Sequence, residues 1–304
     1  MPYVLFVLIA VIWGASFILM KKAALSFTPV TIGAWRLIGG AAVLGLAWWL
    51  TRVRPGWRKA DAWPLVFVAL IGNAFPYALQ PYLVASHGSA FIGMTISFVP
   101  VLTILVSVPL LGVYPSKRQL AGVAGALVCM AALMADGLQR RVPPADLLLA
   151  ATVPLGYALA NIIVRRHLRH VPSLALSFTS LALAAAGLLP LAWSLPGENV
   201  SANESLGLAI GCLAILGVVG TGLAMVMFNR LIQNQGPLFA GMVTYLVPIG
   251  AVIWGWLDRE PVSLVQLAAL AGILVMVALA QSGAARAASG EANIEDGVPK
   301  ATPL

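Results

Sequence analysis

Residues 88–106 read GSAFIGMTISFVPVLTILV, and residues 236–254 read GPLFAGMVTYLVPIGAVIW. At an offset of 148, Gly88 aligns with Gly236, Phe91 with Phe239, Gly93 with Gly241, Met94 with Met242, Val99 with Val247 and Pro100 with Pro248. The same offset pairs Gly72 with Gly220 and Asn73 with Thr221. Further on, an offset of 147 pairs Leu120 with Leu267, Gly125 with Gly272 and Leu127 with Leu274. Near the start, an offset of 142 pairs Gly14 with Gly156 and Gly45 with Gly187. The six-residue change falls between two apolar runs, where a loop absorbs it. An internal duplication of this kind limits the possible folds before any residue is read in detail.

The duplicated unit is built from apolar runs of roughly bilayer length. Ten are read, at about 3–20, 30–50, 63–84, 89–111, 118–135, 146–164, 173–194, 206–229, 237–257 and 263–283. Composition agrees: 61% of residues are hydrophobic and only 9% are charged, against about a quarter charged in soluble domains. Five spans per half is an odd number, so the two halves must cross the membrane in opposite senses. The expected fold is an all-α polytopic membrane protein of ten transmembrane helices in two inverted five-helix repeats, residues 1–140 and 141–285. Secondary transporters commonly have this architecture. Residues 286–304, rich in Ala, Gly and Glu, are expected to form a disordered cytoplasmic tail. Met1 to Phe6 carries no charge and the run from Val4 to Met20 is long for a signal peptide, so a retained first span is expected. Cys129 and Cys212 both fall inside apolar runs and read as small packing residues, not a disulfide.

Lys and Arg set the orientation. With both termini cytoplasmic, the inner loops hold Arg52, Arg54, Arg58, Lys59, Lys117, Arg118, Arg165, Arg166, Arg169, Arg230, Arg286 and Lys300. The outer loops hold Lys21, Lys22, Arg140, Arg141 and Arg259. The total favours this orientation, although Lys21 and Lys22 argue locally against it. The net charge of +8 is then a topology signal, and no nucleic-acid partner is implied.

Polar side chains inside spans are costly and mark pathways. Asn73, Tyr77 and Gln80 are spaced to share one stripe of the third span. The matching eighth span carries Thr221, Met225 and Asn229. Trp13 and Ser16 share a face of the first span, and Tyr157 and Asn161 lie one turn apart in the sixth. Met94 with Ser97 on the fourth span, and Met242 with Tyr245 on the matching ninth, face together. Each set suits either a cavity wall or hydrogen-bonded glue between helices. Pro76, Pro100, Pro154 and Pro248 are expected to break or bend their helices, and a freed carbonyl needs a cavity or a partner. The expected cavity is therefore bounded by spans 1, 3, 4, 6, 8 and 9. Arg36 is the one charge well inside a span; snorkelling or helix-end contacts give it a structural role, and binding a substrate carboxylate is the other reading.

All ten acids lie at loops, span ends or the tail, so no carboxylate is available in mid-membrane for a proton relay or a cationic drug. Any titrating group would then be His87 or Glu260. His167 and His170 sit among Arg165, Arg166 and Arg169 in a basic loop. There is no metal-ligand cluster, cofactor motif or nucleophile–base pair within the spans, so no cofactor and no enzyme activity are expected. Asn199-Val-Ser201 and Asn203-Glu-Ser205 match glycosylation sequons, a pattern common by chance.

Several residues carry a family resemblance: Trp13-Gly14-Ala15-Ser16, Trp35-Arg36, the run from Gly93 to Pro100 followed by Leu-Leu-Gly at the fourth span's exit, and Leu257-Asp258-Arg259-Glu260-Pro261. Together with the duplicated five-helix unit, they resemble the EamA-type members of the drug/metabolite transporter superfamily. The family commonly has a glutamate after the fourth span as well as the ninth; here Tyr114 stands opposite Glu260. The resemblance implies a secondary transporter in the bacterial inner membrane, exporting small neutral or zwitterionic metabolites such as amino acids by alternating access. A channel or facilitator for small polar solutes is the alternative. The implied partners are a small-molecule substrate and the lipid bilayer. The sequence does not set the oligomeric state.

Overall fold

A computed structural model describes residues 2–111, 116–194, 206–231 and 243–295. They form helices joined by short turns, with no strand among the described residues. The helices are labelled α1 (Pro2–Ala23), α2 (Pro29–Thr51), α3 (Lys59–His87), α4 (Ser89–Leu110), α5 (Lys117–Gln139), α6 (Pro144–His167), α7 (Ser173–Ser194), α8 (Leu206–Leu231), α9 (Val243–Leu257) and α10 (Leu264–Glu295). The first eight are each long and apolar enough to cross a membrane. The apolar stretches of the last two, Val243–Leu257 and Leu264–Leu279, are shorter. The helix of α10 continues through the first part of the expected disordered tail, where alanine, a strong helix former, recurs. Met242, Tyr114 and the two sequons lie outside the described residues.

Local sequence explains where helices start and falter. Thr28 caps α2 by accepting a hydrogen bond from the Thr31 amide, with Pro29 at the first helical position. Ser116 and Gln119 form a reciprocal capping box on α5. In α3 the backbone widens to a π-helix over Val68–Ala74, just before Pro76. Proline's missing N–H and its ring clash with the carbonyl four residues back, and the wider turn relieves that clash. In α8 the π-helix spans Leu216–Leu223, the equivalent position at an offset of 148, in a run rich in glycine. α4 is interrupted by a turn at Ile96 and Ser97, where bonds tighten to Ile96 N–Gly93 O, Ser97 N–Met94 O and Val99 N–Ile96 O. Pro100 supplies no N–H for the Ile96 carbonyl, so the break falls one turn before it. The expectation fails for Pro154 and Pro248, which sit inside uninterrupted α6 and α9. Helices accept an interior proline where the chain around it is packed, and both prolines are buried.

The packing obeys an exchange of each helix with its counterpart five further on. α1 packs on α9 as α4 packs on α6, α2 on α8 as α7 on α3, while α2–α7, α4–α9 and α5–α10 are self-paired. The α5–α10 seam shows this at atomic scale. A Cβ on Gly125 would meet Met276 Sδ at 2.5 Å, and one on Gly272 would meet Cys129 Sγ at 2.6 Å. Residue 125 is to 272 as 129 is to 276, so each half inserts the same knob into the other's glycine notch. Both cysteines are free.

Polar links at the helix ends fix the relative directions. At one end the end of α1 meets the start of α4 and the α9–α10 turn through Lys21, Ser89 and Glu260. There too the end of α3 meets the start of α6 through His87 and Asp146, 2.7 Å apart. At the other end the start of α3 meets the α6–α7 turn through Asp61 and His170, 2.9 Å apart. There Arg166 at the end of α6 donates to the Leu110 carbonyl at the end of α4. α1 therefore runs against α6, and α4 against α9, as an inverted repeat requires.

Candidate functional site

A cavity of about 140 Å³ lies between the two halves. α3 contributes Val68, Gly72, Asn73, Tyr77 and Gln80; α6 contributes Tyr157, Ala160, Asn161 and Val164; and α1 contributes Trp13, Ser16, Phe17 and Met20. Met225, Phe228 and Asn229 come from α8, Ile96 and Val99 from α4, and Thr244 and Val247 from α9. Two helices not expected at the cavity also reach it, α2 through Arg36 and α7 through Leu176 and Ser180.

Four wall pairs are related by the repeat offset of 148: Tyr77 with Met225, Gln80 with Phe228, Ile96 with Thr244 and Val99 with Val247. The cavity thus straddles the exchange axis. Its chemistry is nonetheless lopsided, because the first-half members Tyr77 and Gln80 face the apolar Met225 and Phe228 of the second.

Of the candidates read from sequence, Trp13, Ser16, Asn73, Tyr77, Gln80, Tyr157, Asn161, Met225 and Asn229 line the cavity. Met94, Ser97, Thr221 and Tyr245 do not. Met94 and Ser97 are fully buried at the α4 turn, and the Ser97 hydroxyl donates to the Met94 carbonyl at 2.6 Å. Thr221 lies in the α8 π-helix, packed toward Gly40 of α2. Periodicity placed these four on shared faces but could not say which face met the cavity. Phe17 and Met20, which share the Trp13 and Ser16 stripe by spacing, also line the cavity, whereas Phe228 and Thr244 went unnoticed because an aromatic or a threonine in an apolar run gives no distinguishing signal.

Several wall groups also hold the fold. The Asn73 amide donates to the Val68 carbonyl at 3.2 Å, satisfying backbone within the π-helix. Trp13 Nε1 donates to the Gly220 carbonyl of the other π-helix at 3.2 Å, and its ring stacks tilted on Phe228 with centroids 4.9 Å apart. Gln80 of α3 and Tyr157 of α6 line the same cavity. Asn229 donates to the Ser177 hydroxyl of α7.

Arg36 departs most from expectation, because it does not snorkel to a helix end. It is 4% exposed, it lies over the Tyr77 ring at 4.3 Å, and its Nη1 contacts Met20 Sδ at 3.0 Å. Its Nε has no hydrogen-bond partner, and it forms no ion pair among the described residues.

Above the cavity, at the end that carries Gly88, the acids gather. Lys21 bridges Asp258 at 2.6 Å and Glu260 at 2.8 Å, and Lys22 pairs with Asp258. Glu260 also accepts from the Ser89 amide at 2.9 Å, the Ser89 hydroxyl at 2.8 Å and the Ala90 amide at 2.8 Å. A carboxylate from another helix thus caps the positive N-terminus of α4. Gly88 sits at φ +92°, and a Cβ there would come within 3.1 Å of Glu260 Oε2. Burial pushes the Glu260 carboxyl up, but Lys21 and the Ala90 and Ser89 donors outweigh it and hold it below the usual carboxylate range. Asp258 behaves alike: burial raises it, and the two lysines bring it down further. Among the described residues no cluster of three metal-ligating side chains occurs.

The solved protein structures include one that covers 94% of this chain and 98% of its own, at a TM-score of 0.67 and 19% identity, which is a likeness of fold. The uncharacterized transporter YwfM of Bacillus subtilis (strain 168) is 27% identical over 256 residues, 83% of this chain and 84% of its own length. The EamA-like transporter family model matches twice, over residues 1–135 and 145–281, on the two halves that the exchange of helices relates. With a doubled unit, antiparallel halves and a cavity between them, this multi-pass membrane chain belongs to the EamA-like transporter family.

Proposed function

We propose that the chain is a secondary transporter that moves small neutral or zwitterionic metabolites, amino acids among them, by alternating access. It has ten spans with both termini cytoplasmic, and export across a bacterial inner membrane is its direction. The observation that carries this reading is the cavity on the exchange axis, walled by amides, hydroxyls, aromatic rings and the charge of Arg36. An inverted repeat offers two equivalent ways of closing around such a site, one for each side of the membrane. Apart from Arg36 the described wall groups are uncharged amides, hydroxyls and rings, which suit a neutral solute or a zwitterion whose anionic end meets that cation.

The test is counterflow in proteoliposomes holding the purified full chain. Vesicles preloaded with an unlabelled amino acid should accumulate the labelled one transiently, with saturation. Flux that rises linearly with concentration and shows no counterflow would identify a channel instead. Cysteines placed at 53–57, labelled in whole cells only after permeabilisation, test the orientation.

A further inference from the structure

We infer that Arg36 is the carboxylate anchor of the cavity, so that the solute it takes is an organic acid or amino acid bearing a free carboxylate on an apolar body. The inference rests on the transporter reading and names its substrate class.

The argument starts from an imbalance. A guanidinium keeps its charge in proteins. Removing it from water is costly unless an opposite charge and further hydrogen bonds compensate. Arg36 is 4% exposed within the membrane-spanning part of the chain, where that cost is highest. What it has in return is a thioether at 3.0 Å and the face of one phenol ring at 4.3 Å. These are weak, uncharged partners. The chain had an ionic solution to hand, since Lys21 and Lys22, at the end of α1, are both paired with acids. Arg36 instead faces a cavity with Nε unused.

The contacts it does make suit a waiting site. The Tyr77 ring covers one face of the guanidinium plane, which fixes its direction without consuming its N–H groups. Five N–H groups in a rigid fork match the two oxygens of a carboxylate. Gln80 and Tyr157 also line the cavity and can turn toward the second oxygen. The opposing wall supplies Phe17, Met225 and Phe228, which suit an apolar body and offer an ammonium no carboxylate. Specificity follows from the same imbalance. A solute without a carboxylate leaves the buried charge uncompensated, so an amide of identical shape is rejected.

The experiment reads thermal stability of the purified full chain in detergent. The probes are leucine, leucinamide, isoamylamine and 4-methylpentanoate, with sodium chloride at matched ionic strength. Leucine and 4-methylpentanoate should raise the melting temperature saturably; leucinamide, isoamylamine and chloride should not. Arg36→Gln should abolish the response, and Arg36→Lys should weaken it tenfold or more because an ammonium cannot grip both oxygens. Arg36→Met should raise the melting temperature of the ligand-free protein, since it removes an unpaired buried charge. That last measurement stands even if Arg36→Gln fails to fold.

Equal stabilisation by leucinamide overturns the inference. So does a carboxylate response that survives in Arg36→Gln, a response to chloride alone, no response to either carboxylate, or a lower melting temperature in Arg36→Met. The two readings fail separately. Counterflow of amides independent of Arg36 keeps the carrier and removes the anchor. Carboxylate-specific stabilisation without counterflow keeps the anchor and removes the carrier.

Discussion

Tyr77 shows how much one side chain can carry. Its ring lies against Arg36 and its hydroxyl belongs to the cavity wall. Tyr77→Phe keeps the ring and removes one hydrogen bond, a net ~0.5–1.5 kcal/mol. The half-saturating solute concentration in counterflow should therefore rise by up to about tenfold, with expression and melting temperature unchanged. An unaltered value would take Tyr77 out of the solute contacts. The sequence revealed the stripe of Asn73, Tyr77 and Gln80, because three polar groups at helical spacing are rare in an apolar run. It could not separate Ser97, buried away from the cavity, from Ser16, which reaches the wall, since both hydroxyls donate to a carbonyl of their own turn. Nor could it reveal that Arg36 meets no acid among the described residues, because the absence of a partner is a property of the packed state.

At the scale of helices, most starts were legible to within a residue or two. The ends were less so: α3, α5, α6 and α10 run on past those read from hydropathy at residues 84, 135, 164 and 283, because polar residues continue a helix beyond its apolar run. The two π-helices were not legible. Tyr77 and Gln80 lie beyond the wide turn, Val68 within it, and all three face the cavity. A constant 3.6-residue period cannot link positions on both sides of a change of pitch. Helix contacts also vary in how much they yield. A Cβ on Gly14 would lie 2.9 Å from Gly250 Cα, backbone against backbone between α1 and α9. One on Gly125 would meet only the flexible end of Met276. Gly14→Ala should therefore lower stability by about 1–3 kcal/mol, the usual cost of overpacking, whereas Gly125→Ala should be close to neutral. Melting temperatures of the two variants in detergent decide it, and equal losses would contradict the backbone contact.

For the whole molecule, the duplication was already present in the sequence offsets, and antiparallel halves followed from an odd span count. The ion-pair cluster over the cavity was not legible, because its members come from residues 21–22, 89–90 and 258–260, far apart in the chain. It also answers a question the sequence left open. Glu260 and Asp258 are held below the usual carboxylate range, so their stabilisation is complete above about pH 4 and is lost as pH falls through their lower folded values. With these bonds in place both carboxylates stay charged between pH 6 and 8. Glu260→Gln should melt at a lower temperature than the parent at pH 7, and the two curves should converge below about pH 4. Curves that stay parallel down to pH 3 would show that charge is not what holds this end.

The turn between α9 and α10 gathers nearly all of these bonds. Lys21, Lys22, Ser89 and Ala90 reach Asp258 or Glu260; Arg140 reaches the Pro261 carbonyl; and Ser263 donates to Asp136. One short turn is thus fastened at once to α1, α4 and α5. While any tooth of such a clasp holds, the others stay within reach and re-form faster than the rest can part. Bonds tied to one turn in this way are expected to part together, so removing one should loosen the whole end.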